Sequence, residues 1–145
     1  MKSIKFLALI ALALCLAGCK KESADSQKLF GTTWESVLNK ITETRSEKTR
    51  YIFTFDKGEK CTLHVIWEMR TKMSDPDEEH DYYLTGTFSL KGSDLKIVLD
   101  KVTDGEYTGD LPVYCNGTMS DDEMMLTVEI GGATLPFMKW ELPGV

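Results

Sequence analysis

The chain reads as an all-β domain: an eight-stranded antiparallel up-and-down barrel, with a β-sandwich as the alternative. Two observations predict it. From Gly31 onward the apolar period is two rather than 3.6, and the alternating runs are separated by short clusters of turn-forming residues. A third observation concerns connectivity. Phe-Asp-Lys-Gly-Glu-Lys-Cys-Thr-Leu at 55–63 recurs loosely as Leu-Lys-Gly-Ser-Asp-Leu-Lys-Ile at 90–97 and as Met-Ser-Asp-Asp-Glu-Met-Met-Leu at 119–126. That is the spacing of a repeated hairpin in a meander. Closing the meander removes the exposed edges that would otherwise aggregate.

The predicted strands are about 32–38, 50–56, 60–69, 82–90, 94–100, 111–119, 123–130 and 133–140. Tyr51, Phe53 and Phe55 alternate with Ile52 and Thr54, and Leu63, Val65 and Trp67 with Thr62, His64 and Glu68. Leu95, Ile97 and Leu99 alternate with Lys96, Val98 and Asp100, and Met124, Leu126, Val128 and Ile130 with Met125, Thr127 and Glu129. Such alternation marks strands with one buried face. Residues 37–50 are ambiguous, because Val37, Leu38 and Ile41 could also form one amphipathic turn.

In an up-and-down barrel the connections alternate between the two ends. The tight turns at 57–59, 91–94 and 120–123 fall at one end. The long connections at 39–49, 70–81 and 100–110, with the Gly131-Gly132 turn, fall at the other. Long loops on one rim are where ligands are expected. That rim is acidic, with Asp75, Asp77, Glu78, Glu79 and Asp81 in one loop and Asp100, Asp104, Glu106 and Asp110 in the next. Clustered carboxylates suit calcium, but the spacing is not that of an EF-hand and Pro76 interrupts it. Solvation of the loops is the preferred reading, and no metal or other cofactor is expected.

The N-terminus carries a different signal. Lys2 and Lys5 precede Phe6 to Leu16, an unbroken apolar run, which leads into Leu16-Ala17-Gly18-Cys19. The run is shorter than the roughly 20 apolar residues a membrane span needs, and its flanks are those of a secretory signal. Leu-Ala-Gly-Cys resembles the lipobox of bacterial lipoproteins. The resemblance implies cleavage before Cys19, a thioether-linked diacylglyceryl group on its sulfur and a further acyl chain. Each buried CH2 then contributes roughly 0.8 kcal/mol to membrane retention.

The expected organisation is a signal peptide at 1–18, a lipidated cysteine and flexible tether at 19–30, and the barrel domain at 31–145. The expected location is the envelope of a Gram-negative bacterium, as an outer-membrane lipoprotein on the periplasmic face or the cell surface. Lys21, Glu22 and Asp25 loosely resemble the charged export signals of Bacteroidetes surface lipoproteins. Removing Lys2 and Lys5 with the signal lowers 17 Lys and Arg to 15 against 23 Asp and Glu, so the net charge moves from −6 to −8. That balance argues against a nucleic-acid partner and against direct docking on anionic lipid.

Cys15 and Cys19 belong to the signal and anchor, which leaves Cys61 and Cys115 in the domain. An exported pair could form a disulfide. Both also sit among apolar strand residues, where free cysteine acts as a small hydrophobe. Catalysis has little to stand on. His64 and His80 have no metal-helix spacing, no Gly-x-Ser-x-Gly elbow is present, and the domain is expected not to be an enzyme. The aromatic residues Trp34, Phe53, Phe55, Trp67 and Phe88 are the candidates to line a small cavity, since an eight-stranded barrel either fills its interior or holds one small ligand.

Gly31-Thr32-Thr33-Trp34 at the first strand and Phe55-Asp56-Lys57-Gly58 at the first hairpin resemble the lipocalin-like lipoproteins of Bacteroidetes. The chain departs from the lipocalin Gly-x-Trp by one residue, from the family's usual hairpin order, and lacks its later arginine motif. The resemblance implies a lipocalin-like barrel. The function expected is non-catalytic binding of a small, partly apolar ligand. The alternative is a packed β-domain that contacts another envelope protein.

Overall fold

In a computed structural model of the chain, residues 23–71 and 78–141 are described; the expected signal peptide and Cys19 lie outside them. The strands are β1 (Thr32–Ile41), β2 (Arg45–Asp56), β3 (Lys60–Thr71), β4 (Glu78–Lys91), β5 (Asp94–Gly105), β6 (Val113–Met119), β7 (Met125–Ile130) and β8 (Ala133–Lys139). Each pairs antiparallel with the next, and β8 returns to β1. The sheet is a closed up-and-down barrel, which excludes the sandwich.

The period of two becomes an inside and an outside. On β5, Leu95, Ile97 and Leu99 are buried while Asp94, Lys96 and Asp100 are exposed. Trp34, Phe53, Phe55, Leu63, Leu84, Phe88, Leu126 and Phe137 meet them in one core. The tight turns hold Gly58 and Gly92 at positive φ, where a side chain would be strained. Gly86 has a different task. A Cβ there would stand 1.8 Å from the Val98 carbonyl oxygen, beside the register shifts of the β4–β5 ladder, so only glycine lets the two backbones approach.

Strands reach into all three of the expected long connections. The one at 39–49 shrinks to a turn at 42–44, β3 and β4 extend into the one at 70–81, and β5 runs on to Gly105. Residues 72–77 lie outside the described residues. The reason is physical. Past the barrel body a strand meets solvent on both faces, so polar residues suit both and the apolar alternation disappears. The backbone ladder continues regardless, with Asn39 opposite Lys48 and Lys40 opposite Glu47.

The barrel is therefore lopsided. β2 has 12 residues and β7 has 6, about 40 Å against about 20 Å at ~3.3 Å per residue. β6 and β7 pair only from Gly117 to Met119, and β1 and β8 only at Trp34–Lys139 and Glu35–Met138. Beyond Val128 on β7 and before Met138 on β8, the two strands pair only with each other.

The segment expected as tether is partly structural. Ser26–Leu29 forms a 3-10 turn beneath the tight-turn end, with Leu29 and Ser26 wholly buried. Leu90 N–H donates to Ser26 Oγ at 3.0 Å, Ser23 Oγ donates to the Leu90 carbonyl at 2.9 Å, and Gly92 N–H donates to Asp25 Oδ2 at 2.8 Å. Residues 23–30 thus pack and hydrogen-bond with the barrel. This floor was invisible to periodicity because it is a single turn with one apolar anchor.

Candidate functional site

The interior was the first candidate, and its lower part is packed. Trp34 and Phe53 face each other across β1 and β2, both buried, and the Trp34 indole N–H donates to Thr32 Oγ1 at 2.8 Å. Phe53 stacks on Phe55 with centroids 5.8 Å apart, and Phe55 meets Phe88 edge-on at 4.8 Å. Phe137, which sequence reasoning did not single out, completes the set 5.2 Å from Phe53. Its alternation with Leu135 on β8 was the available signal. Four of the five aromatic candidates are thus one packed core, and such ring contacts stabilise it beyond their buried area.

Trp67 stands apart. It is half-buried near the upper rim and stacks on His80 at 5.6 Å, its cross-strand partner. Sequence placed His80 in a loop; it lies on β4. The mouth below Trp67 is occupied by tyrosines. Tyr82 packs on Tyr107 at 5.1 Å. Burial, with Tyr51 and Tyr107 adding to it, pushes the Tyr82 hydroxyl up to about 12, and burial raises Tyr51 as well. These hydroxyls stay neutral at physiological pH.

Cys61 and Cys115 are buried free thiols, so the disulfide left open by the sequence is not formed here. Burial, reinforced by the neighbouring Cys115, pushes the Cys61 thiol up to about 12; burial brings Cys115 to about 11. Both act as small core hydrophobes. Among the described residues no group of three or more His, Cys, Asp and Glu could hold a metal ion. On the outer wall His64 stacks on Tyr83 at 3.9 Å and meets Asp81 Oδ2 at 3.1 Å.

A group of accessible apolar side chains stands on the outer wall. Met125 and Met138 are cross-strand partners on β7 and β8, both exposed, with Met124 and Trp140 exposed beside them along the chain. A depression of about 500 Å³ joins Met124 and Trp140 to Thr33 and Lys139. Trp140 is held in place, since its indole N–H donates to Glu35 Oε2 at 2.9 Å. Higher on β1, Val37 and Ile41 are also exposed on this wall.

Family models, curated proteins and solved structures return no match to this chain. Among the described residues no helix is long and apolar enough to cross a membrane.

Proposed function

We propose that this chain is a lipid-anchored protein of the bacterial envelope, non-catalytic, whose barrel docks another envelope protein on its outer wall. The observation that carries this reading is the exposed Met124, Met125, Met138 and Trp140 group set against an interior whose lower part is packed by Trp34, Phe53, Phe55, Phe88 and Phe137. Methionine is adaptable at a contact surface, and tryptophan is a frequent anchor of protein interfaces. The Leu16-Ala17-Gly18-Cys19 motif supports an acyl anchor on Cys19, with the domain at the outer membrane on either face. The resemblance to lipocalin-like lipoproteins is compatible with this reading, because one barrel fold serves many functions.

A small, partly apolar ligand is the second reading. Its foothold is the upper ledge, where Trp67 and His80 stack and Leu38, 39% exposed, stands across Thr49 from Trp67.

Native mass spectrometry of the full chain in detergent, followed by denaturation, separates the two. The wall-docking reading expects the acylated polypeptide mass alone. A small molecule released on denaturation would replace it with the ligand reading. Changing Met125 and Met138 together to Lys is then expected to abolish capture of one specific envelope protein while the barrel stays folded.

A further inference from the structure

Alternate residues of an antiparallel strand turn their N–H and C=O to opposite neighbours. In β1 the even-numbered residues face β2: Thr42 N–H donates to the Arg45 carbonyl at 2.9 Å, in the register that pairs Thr32 with Phe55. The odd-numbered residues face the other way. The Thr33 carbonyl accepts from Trp140 N–H at 2.8 Å, and Glu35 pairs with Met138. Continuing that register would set Val37 against Pro136, which has no N–H to donate. The ladder stops there.

Val37, Asn39 and Ile41 therefore each turn an N–H and a C=O to an edge against which no described strand is paired. Their side chains stand on the outer wall, Val37 43% and Ile41 79% exposed. Lys48 lies between Asn39 and Glu68 on the same wall, and no described carboxylate comes within 4 Å of its ammonium group.

We infer that the upper edge of β1, from Val37 to Ile41, receives an extended segment of another protein as an added strand. The segment is apolar where it meets Val37 and Ile41 and acidic where it meets Asn39 and Lys48. Main-chain bonds supply the affinity of such an addition and the alternate side chains supply its selectivity. Charge disfavours a second copy of this chain as the occupant. Pairing β1 with itself about Asn39 would set Asn39 against Asn39 between the two Lys48 positions, so the added strand would bring neither lysine a carboxylate. This inference rests on the wall-docking reading and names the chemistry of its partner.

The probe is a fluorescent peptide, Thr-Val-Thr-Asp-Thr-Val-Thr, titrated with the full chain and followed by anisotropy. Three comparisons accompany it: the peptide N-methylated at both Val and at Asp, the peptide with Lys for Asp, and the N39P protein. Residue 39 donates to the open edge and not to β2, so proline there leaves the β1–β2 ladder whole. Binding of the plain peptide is expected, weakened at least tenfold by N-methylation and by Asn39→Pro, and severalfold by the Lys exchange.

Absence of binding at millimolar peptide, or equal binding by the methylated peptide or by N39P, overturns the inference. So does a concentration-dependent dimer abolished by N39P, which would give the edge to a second copy. Should N39P fail to fold, Val37→Lys with Ile41→Lys, both at exposed positions, takes its place with the same tenfold expectation. Capture that depends on Met125 and Met138 but not on Asn39 would remove the edge and leave the wall-docking reading standing.

Discussion

Glu35 and Trp140 fasten the two ends of the barrel sheet together. The indole N–H of Trp140 donates to Glu35 Oε2 at 2.9 Å, while Arg50 Nε donates to Oε1 at 2.7 Å. The Arg50 hydrogen bond, opposed by some burial and aided by Trp140, holds the Glu35 carboxyl below its ordinary value of 4.5. A carboxyl whose folded pKa is depressed stabilises the fold above its unfolded pKa and loses that contribution as pH falls through the folded value. The pair is one-fifth to one-third exposed. Glu35→Gln is therefore expected to cost about 0.5–1 kcal/mol at pH 7. The gap to wild type should shrink as the pH falls below about 4.5. Urea denaturation at several pH values measures it.

Leu29 is wholly buried although it lies outside the predicted domain. Leu29→Ala is expected to lower stability by about 2–5 kcal/mol, the range for truncating a core leucine. A residue in a free tether would cost nothing, so thermal or urea denaturation of this one variant decides whether residues 23–30 belong to the folded unit.

Gly86 and Gly92 are required for different reasons, and the same substitution separates them. Alanine at 86 would drive its Cβ into the Val98 carbonyl, so a loss of about 3 kcal/mol or failure to fold is expected. Alanine at 92 meets open space and carries only the strain of φ +61°, about 1–2 kcal/mol. Denaturant midpoints of the two variants should fall in that order.

The thiols of Cys61 and Cys115 should resist a thiol reagent at pH 8 in the native protein, being buried and raised to about 12 and about 11. Both should react on unfolding without any reductant. An unfolded chain that shows no thiol until reduced would mean that the pair is bonded.

Strand identity was legible because burying one face forces a period of two, and Leu95, Ile97 and Leu99 wear it openly. Strand length was not. Lys40, Glu47 and Lys48 continue the ladder with nothing to bury, so polar residues there look like loop. The aromatic candidates were legible as inward-facing. Whether they line a space or fill it depends on Phe137 and on the tyrosines Tyr51, Tyr82 and Tyr107 arriving from other strands, and no single strand records that. The open edge of β1 was hidden for a related reason. It arises from Pro136, a hundred residues away, which only the register brings opposite Val37.

The closure of the ring sets the order of its assembly. Hairpins β2–β3 and β4–β5 join near neighbours in the chain, whereas Glu35 and Trp140 are 105 positions apart. Loop entropy must be overcome before so distant a contact contributes, so the local hairpins form early and the β1–β8 seam zips last. The newborn barrel is then an open, curling sheet with two bare ends. Its slowest step is the search of one end for the other. With two paired positions and the two Trp140 hydrogen bonds to Thr33 and Glu35 to hold it, that seam is also where amide protons should exchange early.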